Sequence, residues 1–226
     1  ADTRFPNKKP EALRAWYSPE GLKDLYERNI ENINEHLQNS DISYLTDKNG
    51  LSLRNYQINA IKAVEEAILN GEKRALLVMA TGTGKTRVAV GLSYRLIKSN
   101  RFRRILFLTD RRTLAEQASD DFDDYKIENF NTFADIYRIN KLGKQDTEIE
   151  TRVQFATVQS MVKRLFYATD EQKNQLSIDA YDCIIVDEAH RGYNEDKQLN
   201  EEDLSFRDQA DYVGQYKRVI EYFDAF

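Results

Sequence analysis

Cysteine occurs once in this 226-residue chain and histidine twice, and no apolar run reaches the ~18 residues that a membrane-spanning helix needs. Each scarcity closes off a class of protein. A lone Cys183 cannot form an internal disulfide. Its place between Asp182 and Ile184, at the start of an apolar strand, makes it a small core residue and fits a reducing, cytoplasmic setting. A zinc centre finds no support. His36 and His190 are far apart, the His-Glu-x-x-His arrangement is absent, and Cys183 belongs to a buried strand. Neither a secretory signal nor an internal repeat nor a low-complexity tract stands out, and no membrane partner is expected. The formal net charge of −5 argues against general nucleic-acid stickiness. That sum nevertheless hides a local basic group at Lys98, Arg101, Arg103, Arg104, Arg111 and Arg112.

What the chain does contain is the run Leu76-Leu77-Val78-Met79-Ala80-Thr81-Gly82-Thr83-Gly84-Lys85-Thr86. Ala75 to Met79 is expected as a buried strand. Val88, Leu92 and Leu96 recur at fourfold spacing and predict a helix after the loop. A glycine-rich loop ending in Gly-Lys-Thr between strand and helix is a phosphate-binding loop. Gly82 and Gly84 allow successive N–H groups to turn toward phosphate oxygens, and the helix adds its positive N-terminal end. Lys85 is placed to reach the β- and γ-phosphates, and the Thr86 hydroxyl to complete the coordination of a phosphate-bound Mg²⁺. The ligand implied is a nucleoside triphosphate. A strict version of the motif would carry its first glycine where Met79 stands.

The remaining strands follow as apolar runs at Ile105–Thr109, Val153–Thr157 and 183–187, separated by helical segments. This order predicts an α/β fold with a mostly parallel sheet and helices on both faces, functional groups gathering at the C-terminal strand ends. Residues 1–50 lack the alternation and read as a helical lead-in or linker. Ser18 caps a helix with Pro19 at its first position, and Leu22, Leu25, Tyr26, Ile33 and Leu37 give it an apolar face. Asp47 to Gly50 marks a turn. A helix from Leu51 carries Ile58, Ile61, Val64 and Ile68 and closes at Asn70-Gly71. Thr113 with Glu116 is expected to form a capping box. About Ile127 to Glu150 no element is assigned. The acidic stretches Asp120–Asp124 and Asn194–Asp203 read as solvated loops or helix faces.

Ile184-Ile185-Val186-Asp187-Glu188-Ala189-His190 supplies the second half of a hydrolytic site. An apolar strand ending in two acids delivers both to one edge. Asp187 is expected to hold Mg²⁺ opposite Thr86, and Glu188 to orient or deprotonate the water that attacks the γ-phosphate.

With both halves in place, residues 51–226 resemble the first RecA-like motor domain of superfamily-2 helicases and translocases of the Asp-Glu-Ala-His group. Leu51 to Gln57 looks like the element that recognises adenine there, with Gln57 offering both amide donor and acceptor. The resemblance implies nucleotide binding by Arg54, Gln57, Thr81, Gly82, Thr83, Gly84, Lys85, Thr86 and Arg87. It implies catalytic roles for Lys85, Asp187 and Glu188, and metal coordination by Thr86 and Asp187. Phe107–Gln117 and Phe155–Met161 resemble motifs that grip a nucleic-acid backbone, implying phosphate contacts from Arg111, Thr157 and Gln159. His190 would couple nucleotide state to motion. Asp187–Tyr193, Phe206–Tyr212 and Tyr216–Ala225 are most similar to the restriction subunit of type I restriction-modification enzymes.

That likeness implies an ATP- and Mg²⁺-dependent translocase on double-stranded DNA. It further implies a nuclease domain, a second motor domain with an arginine finger, and modification and specificity subunits. The chain starts without methionine and stops within an amphipathic pattern, so an excerpt ending before the coupling motif and the second motor domain is expected. Such an excerpt should itself be weakly active. Two other readings remain open: the motor of another superfamily-2 helicase acting in DNA repair or on RNA, and a non-catalytic nucleotide-binding interaction module. A sequence-specific DNA-binding protein finds little support without a helix-turn-helix or zinc module.

Overall fold

The computed structural model describes residues 16–128, 130–140, 150–167, 176–189 and 214–226. Its centre is a four-stranded parallel sheet in the order β4 (Ile139–Asn140), β5 (Val153–Thr157), β1 (Ile105–Thr109), β6 (Cys183–Val186). Every β1 residue is buried, and the strand's side chains alternate between two cores as strand geometry requires. Ile105 and Phe107 join Val153 and Phe155 beneath α3 (Asn55–Leu69), α4 (Lys85–Lys98) and α5 (Arg112–Asp124). Leu106 and Leu108 join Ala156 and the residues of α7 (Val158–Phe166) on the other face. The sheet is therefore covered on both sides, as its unbroken apolar runs predict. A short antiparallel pair, β2 (Lys126–Glu128) and β3 (Asn131–Thr132), and α6 (Phe133–Ile136) lie in the described part of the stretch left unassigned in the sequence.

Several expectations hold to the residue. Ile58, Ile61, Val64 and Ile68 of α3 are buried, as are Val88, Leu92 and Leu96 of α4. Gly71 follows α3 in the left-handed conformation at φ 77°. Gly50 N–H donates to the Asp47 carbonyl in the expected turn. Cys183 is 3% exposed, and burial pushes its thiol up to about 12.

Others need correction. Ala75 to Met79 is not a strand. It runs without regular structure, with Leu76 and Val78 78% and 87% exposed. An apolar run becomes a strand only where a neighbour completes its ladder, and here none does. The outer edge of β6 is instead met by Phe226, whose carbonyl accepts from Ile184 N–H and whose N–H donates to Asp182. A cavity of about 1130 Å³ separates β6 and residues 220–226 from residues 73–79.

The capping box at Thr113 is also absent. α5 begins at Arg112 with Arg111 as its N-cap, so Thr113 already lies inside the helix, and Glu116 pairs with Arg112 at 2.9 Å. The single helix expected after Ser18 is two, α1 (Pro19–Glu27) and α2 (Ile30–Asn39). The Asn29 side chain accepts from Asn32 N–H and starts the second, which turns Leu37 inward and leaves Leu22 and Tyr26 exposed. The basic group is divided as well. Arg101 is fully buried, Arg103 pairs with Asp24 and Asp182, and Lys98 pairs with Glu128.

Residues 16–46 pack onto the sheet domain through named contacts. Leu37 and the Leu45 of the 3₁₀ turn Ser43–Thr46 are fully buried in the α3/α4 core. The start of α1 is held by Asp179, which accepts from Ser18 Oγ at 2.6 Å and Ser18 N at 2.7 Å. Gly21 permits this approach, because a Cβ there would lie 2.0 Å from Asp179 Oδ2. Burial works against the Asp179 charge, but the Ser18 hydrogen bonds hold the carboxyl below its ordinary value. A lowered carboxyl stabilises the fold above the unfolded carboxylate range, and that contribution is lost as pH falls through the lower folded value. Trp16, the only tryptophan of the chain, is 89% exposed and reports on this end. Acidification through that window should release α1 and lower Trp16 fluorescence anisotropy. Asp179→Asn and Gly21→Ala should each produce the low value already at neutral pH.

Candidate nucleotide site

The parallel register brings three strand ends level. Thr109 lies beside Thr157, and Leu108 beside Val186, so Asp110-Arg111, Thr157-Val158-Gln159 and Asp187-Glu188 leave the sheet along one edge. The last rung is the Asp187 N–H, which donates to the Leu108 carbonyl at 2.9 Å. Glu188 leaves the ladder in the left-handed conformation at φ 53°, its N–H donating to Asp187 Oδ1 at 3.0 Å.

Opposite this edge, Gly82 and Gly84 take φ 78° and 81°, conformations that cost a side-chain-bearing residue ~1–2 kcal/mol. Gly84 is the N-cap of α4, so Lys85 and Thr86 form that helix's first turn, where backbone N–H groups lack intrahelical partners. Lys85 Nζ donates to Glu188 Oε1 at 2.7 Å across 103 residues of sequence. Lys85, Thr86, Asp187 and Glu188 all line the one cavity. Burial, then the neighbouring Glu188 and Asp110 charges, raise the Asp187 carboxyl, while the Glu188 N–H and Lys85 oppose the shift. Asp187 and Thr86, both lining this cavity, carry hard oxygen donors of the kind that suit Mg²⁺.

Gln57 sits against the loop, 4% exposed. Its Oε1 accepts from Arg54 N–H at 2.8 Å and its Nε2 donates to the Thr83 carbonyl at 2.9 Å. Both amide groups are thus engaged within the protein. The Thr83 hydroxyl donates to the Ala80 carbonyl at 2.6 Å, and Thr81 is exposed beside it. Arg87 turns from the loop and lies 4.8 Å over the Tyr125 ring. Arg111 is 63% exposed and pairs with Asp110 at 3.7 Å, Gln159 is exposed, and the Thr157 hydroxyl caps α7 by accepting from Ser160 N–H. His190, with the tracts 191–193, 194–203 and 206–212, lies outside the described residues.

Two contributors were missed in the sequence. The Tyr56 hydroxyl donates to the same Thr83 carbonyl as Gln57, at 3.0 Å. The second is Asp121 of α5, in an acidic stretch that reads as solvated. Burial raises its carboxyl, against hydrogen bonds from the Tyr125 and Thr86 hydroxyls. Adjacency to Gln57 could have flagged Tyr56. No local pattern points to Asp121, because its approach to Thr86 depends on how α5 packs on α4.

A two-face-covered parallel sheet, a Gly-Lys-Thr loop opening a helix, and an acidic pair at the facing strand end define a RecA-like P-loop domain of the helicase type. Residues 50–226 match the family described as Type III restriction enzyme, res subunit (ResIII), and the chain belongs to that family. It is 44% identical over 227 residues to the type I restriction enzyme EcoKI endonuclease subunit of Escherichia coli (strain K12), an alignment covering 99% of this chain and 18% of that protein. The EcoAI endonuclease subunit of Escherichia coli is 35% identical over 173 residues, 76% of this chain and 20% of that one. The SsaAORF53P endonuclease subunit of Staphylococcus saprophyticus is 26% identical over 153 residues, 65% and 15% respectively. The chain therefore spans a fifth or less of the length of these relatives.

The two loop glycines differ in what surrounds them. An added Cβ meets nothing within 4 Å at Gly82 but lies 2.5 Å from Gln57 Nε2 at Gly84. Gly82→Ala should cost only the left-handed backbone term of ~1–2 kcal/mol. Gly84→Ala should cost more, and Gln57→Ala in the same chain should bring it back toward the Gly82→Ala value. Urea unfolding of these three variants and of Gln57→Ala alone measures this coupling.

Proposed function

We propose that this chain is the ATP-binding motor domain of a DNA translocase, belonging to the restriction subunit of a type I restriction enzyme. The observation that carries the reading is the Lys85–Glu188 contact at 2.7 Å, on one cavity wall with Thr86 and Asp187. Residues from two distant segments, each with a defined task in phosphate chemistry, converge there. The 44% identity to a type I endonuclease subunit supports the particular enzyme class.

In this reading the N–H groups of residues 82–86 and the α4 N-terminus cradle the phosphates, and Lys85 neutralises charge at the β- and γ-positions. Thr86 and Asp187 would hold Mg²⁺, which when bound offsets the charge that develops on the transferring phosphoryl group. Glu188 orients the attacking water and receives its proton. Gln57 exchanges its internal partners for the adenine edge. Arg111, Thr157 and Gln159 meet the backbone of double-stranded DNA along the same strand-end edge, and His190 transmits nucleotide state. A second motor domain supplies an arginine worth ~10³-fold or more in turnover. Nuclease, modification and specificity functions belong to other domains and subunits of a cytoplasmic assembly.

Lys85→Ala in the full-length protein should weaken MgATP binding about ten- to a hundredfold, the ~1.5–3 kcal/mol of a hydrogen bond to a charged group, and abolish DNA-stimulated hydrolysis. Undiminished hydrolysis by that variant would contradict the assignment. The 226-residue chain by itself should give binding heat with MgATP but little turnover. Brisk hydrolysis by the chain alone would show that no outside arginine is needed.

A further inference from the structure

We propose that Tyr56 is a positioning residue of the phosphate loop: its hydroxyl holds the Thr83 carbonyl, and so keeps the loop in shape when Gln57 turns from that carbonyl to the base. The proposal rests on the nucleotide reading above and adds what keeps the loop ordered during base recognition.

Thr83 stands between Gly82 and Gly84, both at positive φ, so the most permissive backbone of the loop lies on either side of it. Its own groups tie it in two directions. The Thr83 N–H and hydroxyl donate back to the Ala80 carbonyl at 3.3 and 2.6 Å. The Thr83 carbonyl accepts from the Tyr56 hydroxyl at 3.0 Å and from Gln57 Nε2 at 2.9 Å. A carbonyl oxygen carries two lone pairs, and these two donors fill them. In a planar trans peptide the C=O and the N–H point opposite ways. Fixing the Thr83 carbonyl on the first turn of α3 therefore turns the Gly84 N–H away from α3, at the start of α4, where a phosphate-binding loop uses such groups.

The two donors differ in what else they can do. Gln57 is buried beneath the loop, with its Nε2 only 2.5 Å from where a Cβ on Gly84 would lie. Its amide has both a donor and an acceptor to offer a base edge. The Tyr56 phenol is half-exposed, and its one donated bond goes to Thr83. On the proposed reading Gln57 gives up its internal partners for adenine. A Thr83 carbonyl held by Gln57 alone would then lose its anchor, and the peptide between the two glycines would turn freely. With Tyr56 beside it, the carbonyl keeps one donor throughout. The amide serves the base, and the phenol serves the loop.

A ligand without a base separates the two roles. Magnesium tripolyphosphate offers the phosphates alone, and its affinity can be read by competition against MgATP in isothermal titration of the full-length protein. Tyr56→Phe keeps the ring and removes only the hydroxyl. It should weaken MgATP about two- to tenfold, the net value of one hydrogen bond, because Gln57 is then on the base. It should weaken tripolyphosphate less than twofold, because Gln57 still holds Thr83. In a Gln57→Ala background the same substitution should weaken tripolyphosphate about two- to tenfold, since the carbonyl then loses both donors. If Tyr56→Phe lowers MgATP affinity but leaves tripolyphosphate unchanged in both backgrounds, the phenol serves the base and the proposal fails. Equal weakening of tripolyphosphate in both backgrounds would overturn the exchange between the two donors. Unchanged MgATP affinity in Tyr56→Phe, whatever its urea midpoint, would overturn the positioning role while leaving the nucleotide site standing. Failure of tripolyphosphate to compete for the wild-type site would also overturn it, since the loop would not hold phosphates by itself. Absence of MgATP binding in the wild type would overturn the nucleotide reading and this role together.

Discussion

The level register of β1 against β5 and β6 is the constraint on which the site depends. Because Leu108 stands beside Val186 and Thr109 beside Thr157, whatever follows each strand emerges at the same height. A one-residue slip of β6 would exchange its two faces and carry Asp187 away from Leu108. Register is secured by burial on both sides of β1, where each alternate residue has its own core to fill. The same geometry divides the two acids. The Asp187 N–H bonds to the ladder, and Glu188 follows it in a left-handed conformation that turns the chain away from the strand direction.

The sequence was most legible where a physical rule acts within one segment. β1, β5 and β6 are unbroken apolar runs of strand length, and α3 and α4 carry fourfold apolar spacing, so their existence and buried faces follow directly. Gly-Lys-Thr and Asp-Glu-Ala are local patterns with chemical meaning, and Lys85, Thr86, Asp187 and Glu188 line the same cavity. Legibility failed where the outcome depends on a neighbour. Ala75–Met79 has the composition of a strand, but composition does not say whether a ladder partner lies alongside. Thr113 and Glu116 have capping-box spacing, but the helix starts earlier. Asp121 looks like one acid among several until α5 packs against Thr86.

Residues 16–46 read as an appendage, yet they reach the nucleotide loop through a short chain of contacts. The guanidinium of Arg95 on α4 pairs with the Glu65 carboxylate on α3 and donates to the carbonyls of Leu37 and Asp41 at the end of α2. Both charged side chains are nearly fully buried. Such a pair adds little net stability over an apolar one, but losing one partner strands the other's charge in the interior. It thereby fixes α3, α4 and α2 relative to one another. α3 carries Gln57 near its start and α4 begins at Lys85, so the two helices that frame the loop are clamped together near the middle of α3 and the end of α4.

Charge at the strand-end edge sets what the site can accept. Lys85 faces Glu188 directly, while Glu188 and Asp110 stand close enough to Asp187 that each opposes its ionisation. Lys85 and Arg111 against the three carboxylates Asp110, Asp187 and Glu188 still leave the edge net negative, and a triphosphate would bring more negative charge to it. The helix N-terminus offsets only about half an elementary charge. On the proposed reading, affinity for nucleotide must therefore be coupled to a divalent cation shared by Thr86 and Asp187.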